Sequence, residues 1–112
     1  MTDLPIIDHE RLHRVCDGDE ELAGQLIDAV IEELDPMVAR FDGLLALGDR
    51  LALGEIAHHV KGTAGNVGAE RLQAAALVLE QGLKSGADVA ALTRGTSGVA
   101  AAMTELRAER TA

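Results

Sequence analysis

Apolar residues recur at intervals of three or four along most of the chain, with polar residues between them. This is the spacing of helices that bury one face against a core. The predicted helices cover about 8–16, 19–34, 36–47, 50–64, 69–84 and 88–109. Short turns between amphipathic helices imply antiparallel neighbours. We therefore expect an all-α fold, an antiparallel up-down four-helix bundle with additional short terminal helices, in a single domain over residues 1–112.

Polar turn residues mark the expected ends of these helices. Asp17 and Glu20 are three residues apart in a Gly-containing turn, which predicts a capping box at the start of the second helix. Asp35–Pro36 predicts the start of the third helix, an N-cap followed by proline at the first helical position. Gly48–Asp49 predicts the end of the third helix and the cap of the fourth.

The second and last helices have less regular patterns. By spacing, Leu22 and Val89 are among the residues predicted to face the core. Gly95 and Gly98 weaken the prediction of the last helix, because each costs about 1 kcal/mol relative to alanine in a helix interior.

The composition narrows the possible partners. The chain is 47% hydrophobic and 26% charged, which is typical of a globular domain, and Phe41 is its only aromatic residue. With 10 basic and 19 acidic residues the net charge is -9, so a phosphate backbone would be repelled and we expect no nucleic-acid partner. The only lysines are Lys61 and Lys84, which makes their positions informative.

The sequence also indicates where the protein works. Cys16 is the single cysteine, so no intrachain disulfide can form and a reducing compartment is favoured. The N-terminus lacks the pattern of a signal peptide, and no uncharged apolar stretch is long enough to span a membrane. We expect a cytoplasmic protein that is monomeric and does not contact a membrane.

The outer face of the fourth helix carries an unusual set of residues. Its apolar stripe is Leu53, Ile56, Ala57, Val60 and Ala64. At about 100° per residue, His58 lies about 150° from that stripe, near the outermost line of the helix. Gly54 and Gly62 are one turn away on either side, Gly65 follows at i+7, and Lys61 is expected to be exposed on the same face.

This arrangement favours chemistry over stability. Glycine destabilises an exposed helix, yet here glycines remove the side chains around one histidine. An exposed neutral imidazole is a nucleophile near pH 7, and a nearby ammonium can neutralise phosphoryl oxygens. The glycines would let another protein's active site approach the ring. The alternative is an incidental surface histidine, and His59, which points to the side, is assigned no role.

Segment 57–72, AHHVKGTAGNVGAERL, resembles the signature of the histidine-containing phosphotransfer (HPt) family, A-H-x-L-K-G-S-S/A-x-x-L/V/F-G-A-x-x-L. It departs only in Val60 for leucine and Thr63 for serine. The resemblance extends over about 7–86 and includes Gly18–Asp19, Gly48–Asp49 and Leu79–Glu80.

The resemblance implies roles for individual residues. His58 would be phosphorylated at Nε2, Lys61 would stabilise the phosphohistidine, and Gly62 would leave room for a docking receiver domain. The family commonly orients the ring through Nδ1 with a polar group on the next helix. The candidates for that group are Glu80, Gln81 and Lys84, and the sequence does not choose between them.

The function implied is that of a phosphoryl carrier between receiver-domain aspartates. Its partners would be response-regulator receivers and the receiver of a hybrid histidine kinase. It would need no cofactor of its own, since the receiver supplies Mg²⁺. No kinase or ATP-binding signature occurs in the chain, so we expect no enzyme activity. Two alternatives stay open, namely the histidine module of a chemotaxis-type kinase phosphorylated in trans, and a receiver-binding bundle that carries no phosphate.

A second pattern points to a metal but lacks support. His9–His13 matches H-E-x-x-H, in which two histidines share a helix face and bind zinc. A catalytic zinc needs a third protein ligand and a substrate cleft, and no further histidine is near in sequence. We therefore predict no metal site.

Overall fold

Six helices make up most of the computed structural model, which describes residues 3–111. They are α1 His9–Val15, α2 Glu20–Val38, α3 Phe41–Leu47, α4 Arg50–Asn66, α5 Glu70–Lys84 and α6 Val89–Thr111. The long helices α2, α4, α5 and α6 form the bundle, with the short α1 before α2 and the short α3 between α2 and α4. The predicted all-α bundle is confirmed, and no strand occurs within residues 3–111.

Neighbouring helices of the bundle run in opposite directions. As the residue number rises along one helix, the residue that it contacts on the neighbouring helix has a lower number. Such contacts are Arg50–Leu83 and Lys61–Glu80 between α4 and α5, and Arg107–Asp35 and Arg110–Asp28 between α6 and α2. The order around the bundle is therefore α2, α4, α5, α6, with α6 returning to α2.

The core is built almost entirely from aliphatic side chains. The predicted stripe of α4 is confirmed in full, because all five of its residues are buried. Two other predictions are wrong: Leu22 is 46% exposed and Val89 is 66% exposed. In α2 the buried line is displaced by one residue, to Ala23 and Ile27, because the contact with α6 determines which face turns inward.

The predicted helix start at Asp35–Pro36 is wrong, since α2 continues through it to Val38. Proline removes one helical hydrogen bond, but it lies in the last turn, where few bonds remain to be lost. Buried Leu34 anchors this turn, and Ala39 N still donates to Asp35 O at 3.0 Å. The Asp35 carboxylate accepts from Arg107 of α6 instead of capping a helix.

The cap of α2 also lies two residues later than predicted, at Asp19 and not at Asp17. The Asp19 carboxylate, and not that of Asp17, accepts from Leu22 N at 3.0 Å. At Gly48 and Asp49 the predictions are confirmed. Gly48 ends α3 with φ +68, and the Asp49 carboxylate accepts from the third residue of α4 at 3.0 Å.

The predicted last helix is confirmed, because α6 passes without interruption through Gly95 and Gly98, the two glycines that weakened its prediction. Gly95 has a packing role: a Cβ there would lie 3.1 Å from Leu79 Cδ1, so its absence lets α5 and α6 approach closely.

Candidate functional site

Helix α4 holds His58 on its outer face. The flanking residues Ala57 and Val60 are fully buried, which determines the rotation of the helix. The His58 side chain is 72% exposed, as the helical spacing predicts.

A buried glutamate of α5 lies directly behind the imidazole. His58 Nδ1 is 2.8 Å from Glu80 Oε2, and the Glu80 side chain is only 7% exposed. The second oxygen, Oε1, accepts from Lys61 Nζ at 2.6 Å. Lys84 Nζ lies 3.9 Å from Oε2. One carboxylate of α5 therefore joins the histidine and a lysine of α4.

This environment keeps Glu80 ionised. The hydrogen bond from Lys61 lowers the pKa of Glu80 below its ordinary value and opposes burial, which raises it. The bond to His58 and the charges of Lys61 and Lys84 lower the pKa of Glu80 further. An ionised carboxylate can only accept hydrogen bonds, so the imidazole proton resides on Nδ1. The lone pair of the neutral ring then lies on Nε2, the nitrogen away from the carboxylate.

His59 also contacts a carboxylate, but through Nε2 and not through Nδ1. Its Nε2 lies 2.6 Å from Glu33 Oε2 of α2, and this glutamate is 51% exposed. The outer nitrogen of His59 is thus engaged, whereas in His58 the inner one is.

The three glycines near His58 differ in their surroundings. A Cβ at Gly62 would meet no atom within 4 Å, and one at Gly54 would touch only Leu83 Cδ1, at 3.9 Å. At Gly65 a Cβ would lie 2.7 Å from the Gln73 amide nitrogen. Gly65 therefore packs against α5. The prediction had placed it instead among the glycines that leave space beside His58.

An open groove of about 360 Å³ runs beside His58 between α4 and α5. Leu51, which is 77% exposed, and Leu83 make its wall apolar. Arg50 lies at the rim and donates to the carbonyl oxygens of Ala87 at 2.9 Å and Leu83 at 3.3 Å.

The sequence profile of the Hpt domain family matches residues 25–109. The chain belongs to the Hpt domain family. The crystal structure of histidine-containing phosphotransfer protein B (HptB) from Pseudomonas aeruginosa PAO1 has a similar fold, with a TM-score of 0.72, 24% sequence identity and 96% of each chain covered. No curated protein matches the sequence. Family membership makes the chain a histidine phosphotransfer protein of phosphorelays, a phosphocarrier module.

In this Hpt domain the three candidates for orienting the ring are distinguished by geometry. Glu80 contacts Nδ1, whereas Gln81 is exposed and Lys84 approaches the carboxylate of Glu80. The sequence contained a signal that would have favoured Glu80. Leu72, Ala76 and Glu80 follow at intervals of four, so the acid continues a buried line of α5.

The expectation that Lys61 is exposed is wrong. Its side chain is 28% exposed, because it folds back onto Glu80. Helical spacing on α4 alone does not reveal this contact, since the partner belongs to another helix of the Hpt domain.

The H-E-x-x-H pattern lies on the short helix α1. The rings of His9 and His13 have centroids 6.3 Å apart and are tilted by 57°. Within residues 3–111 no three histidine, cysteine or acidic side chains are grouped so as to hold a metal ion. None of the described helices of this Hpt domain has the length and hydropathy needed to cross a membrane.

Proposed function

We propose that His58 accepts a phosphoryl group at Nε2 from the aspartyl phosphate of a receiver domain and passes it to the aspartate of another receiver. The observation that carries the proposal is the contact between His58 Nδ1 and the buried Glu80 carboxylate at 2.8 Å. It directs the reactive nitrogen outward, on a side chain that is 72% exposed.

The transfer balances without an added proton. The Nε2 lone pair attacks phosphorus, the bond between phosphorus and the aspartate oxygen breaks, and the aspartate leaves as a carboxylate. The Nδ1 proton stays on the ring, which becomes positively charged while it bears the phosphoryl group. Glu80 lies where this positive charge develops, and an ionised group already in position stabilises such a charge without reorganisation. Glu80 is therefore the ring-orienting residue of the proposal.

Lys61 has two possible partners in this reaction. The family resemblance assigns it to the phosphoryl oxygens, whereas at rest it is bound to Glu80 at 2.6 Å. Its ammonium has three N–H donors, so it can keep this bond while it donates to a phosphoryl oxygen.

Gly62 and Gly54 provide the clearance for a docking receiver. A Cβ built at either glycine would contact at most one side-chain atom. No side chain therefore projects from α4 at these positions on either side of His58. The receiver contributes the aspartate and Mg²⁺, and this chain contributes the nucleophile. In the proposal the partners are response-regulator receivers and a hybrid histidine kinase receiver, and the chain is a cytoplasmic, monomeric, single-domain carrier without enzyme activity of its own.

The test is to mix the protein with a phosphorylated receiver and to identify the donor and the acceptor nitrogen. We expect acid-labile label on the Nε2 isomer of phosphohistidine, transferred from the receiver in the absence of ATP. Label that appears only with ATP and a separate kinase domain would select the chemotaxis-type module. Stable binding to receivers without any label would select the interaction-only bundle.

A further inference from the structure

Two grooves flank the outer face of α4. The first, of about 360 Å³, lies between α4 and α5 and includes His58 in its wall. The second, of about 310 Å³, lies between α4 and the end of α2, and Met37 and His59 are among its lining residues. Glu55 is the one described residue that lines both grooves. It therefore lies between them, three residues and about one helical turn before His58.

The three cations on the α5 side of His58 already have partners within this chain. Arg50 donates to two backbone carbonyl oxygens at the end of α5. Lys61 donates to the Glu80 carboxylate at 2.6 Å, and Lys84 lies 3.9 Å from the other oxygen of the same carboxylate. None of these cations is paired with Glu55.

Glu55 is exposed, and it has no hydrogen-bond or ion-pair partner among the side chains of residues 3–111. Arg40 lines the second groove with it but forms no ion pair with it. A free carboxylate is well hydrated while it faces water. A protein that covers α4 would remove that water, and a charge that loses its water without gaining a partner is unfavourable. Docking at His58 therefore favours a partner with a positive charge opposite Glu55.

The charge of the transferred group strengthens this requirement. A phosphoryl group carries between one and two negative charges, and it must come to Nε2 of His58, about one turn from Glu55. The chain itself has a net charge of -9. Like charges brought together in an interface lower the affinity and slow association, and a basic side chain on the receiver would offset both effects.

We propose that Glu55 selects among receivers, by forming an ion pair with a lysine or arginine that the docked receiver presents beside its aspartate. A receiver with an acidic residue at that place is disfavoured, and discrimination of this kind uses the unfavourable contact as well as the favourable one. The inference rests on the proposed function and adds the surface chemistry of the partner. Glu55 contacts none of the reacting atoms in this proposal, so it acts on docking and not on the transfer step.

The experiment compares Glu55→Gln and Glu55→Lys with the matched controls Glu32→Gln and Glu32→Lys. Glu32 is an exposed acid of α2, one turn after Asp28, which pairs with Arg110 of α6. The receiver used is the one from which the wild-type protein takes label most readily. Loading of each variant is measured over a series of receiver concentrations, at low and at high salt. Loading is also measured from phosphoramidate, a small phosphoryl donor that has no docking surface.

We expect Glu55→Lys to raise the receiver concentration that half-saturates transfer by about tenfold at low salt, and Glu55→Gln to raise it less. The rate at saturating receiver and the melting temperature should stay close to wild type. Because Glu55 is exposed, salt should diminish the difference. The Glu32 variants should load like wild type, and no variant should load more slowly from phosphoramidate.

A wild-type half-saturating concentration in Glu55→Lys would overturn the proposal. An equal rise in Glu32→Lys would also overturn it, because the effect would then reflect net charge alone. Slower loading of Glu55→Lys from phosphoramidate would show that Glu55 acts on the reactivity of His58, and would reject the docking role as well. Failure of the wild-type protein to take label at His58 from any receiver would instead refute the proposed function.

Discussion

Two adjacent histidines of α4, His58 and His59, each contact a glutamate, but through different ring nitrogens and in different surroundings. His58 contacts a buried carboxylate through its inner nitrogen, and His59 contacts a half-exposed carboxylate through its outer nitrogen. Residue type and the presence of an acidic partner are the same in both. A carboxylate that lies behind the ring, within the bundle, leaves Nε2 free, and under the proposed function this is what would make His58, and not His59, the nucleophile.

Replacing His58 and His59 in turn should give the largest difference in phosphorylation. His58→Gln is expected to remain folded and to take no label from a phosphorylated receiver, because it removes the nucleophile from an exposed position. His59→Gln should take label at close to the wild-type level. Label that persists in His58→Gln and vanishes in His59→Gln would move the site to His59 and reverse the comparison.

A side chain added on the His58 face should separate stability from transfer. In Gly62→Gln we expect the melting temperature to stay level or rise, because an exposed helical glycine costs up to about 1 kcal/mol. Transfer should fall by an order of magnitude or more, roughly 1.4 kcal/mol or more in activation free energy, since the new side chain obstructs the receiver. Gly98→Gln on α6, which is equally open, is the matched control and should transfer normally. Wild-type transfer by Gly62→Gln would show that docking does not need this clearance.

The two glutamates should differ in their contribution to stability. Glu80→Gln removes the charge that satisfies partly buried Lys61, and we expect unfolding to become easier by about 1–3 kcal/mol. Phosphorylation should also slow, because the charge behind the ring is lost. Glu33→Gln alters an exposed pair and should stay within about 0.5 kcal/mol of wild type. Urea denaturation measures both, and equal effects would show that burial does not distinguish the two pairs.

Acid should weaken the contribution of Glu80 to the stability of the protein. The pKa of Glu80 is lowered from its ordinary value of 4.5, so its stabilising contribution is present above pH 4.5 and is lost as the pH falls through the lowered pKa. The stability difference between wild type and Glu80→Gln should therefore be constant near neutral pH and shrink below about pH 4.5. Denaturant midpoints between pH 7 and pH 3 test this. A difference that persists unchanged at the lowest pH would mean that Glu80 is not ionised in the folded protein.

Helical periodicity was sufficient to predict the four-helix bundle and the orientation of α4. Burial of one face is a property of the local sequence, so Leu53 and Val60 indicated the inner side, and His58 the outer side, without reference to other helices. The caps at Gly48 and Asp49 were predictable for the same reason, because a left-handed glycine and a capping carboxylate act within one turn.

Local rules failed where contacts between helices were stronger. Asp35–Pro36 has the pattern of a helix start, yet packing of the last turn of α2 and the pairing of Asp35 with Arg107 keep the helix continuous. Gly95 appeared to weaken α6, and its position against Leu79 is instead what allows α5 to pack there. In both cases the energy of tertiary packing outweighs a local preference of about 1–3 kcal/mol.

The sequence by itself determined that His58 is exposed and that no side chain projects beside it at Gly62, since both depend only on angles around one helix. Only the tertiary structure decided what lies behind His58. Glu80 reaches Nδ1, Lys61 turns inward to Glu80 and Lys84 stays loosely held because α4 and α5 pack antiparallel at one particular register. That register is set by the whole core. The hydrogen bond between His58 and Glu80, which are 22 positions apart, would be lost if the two helices shifted by about an ångström.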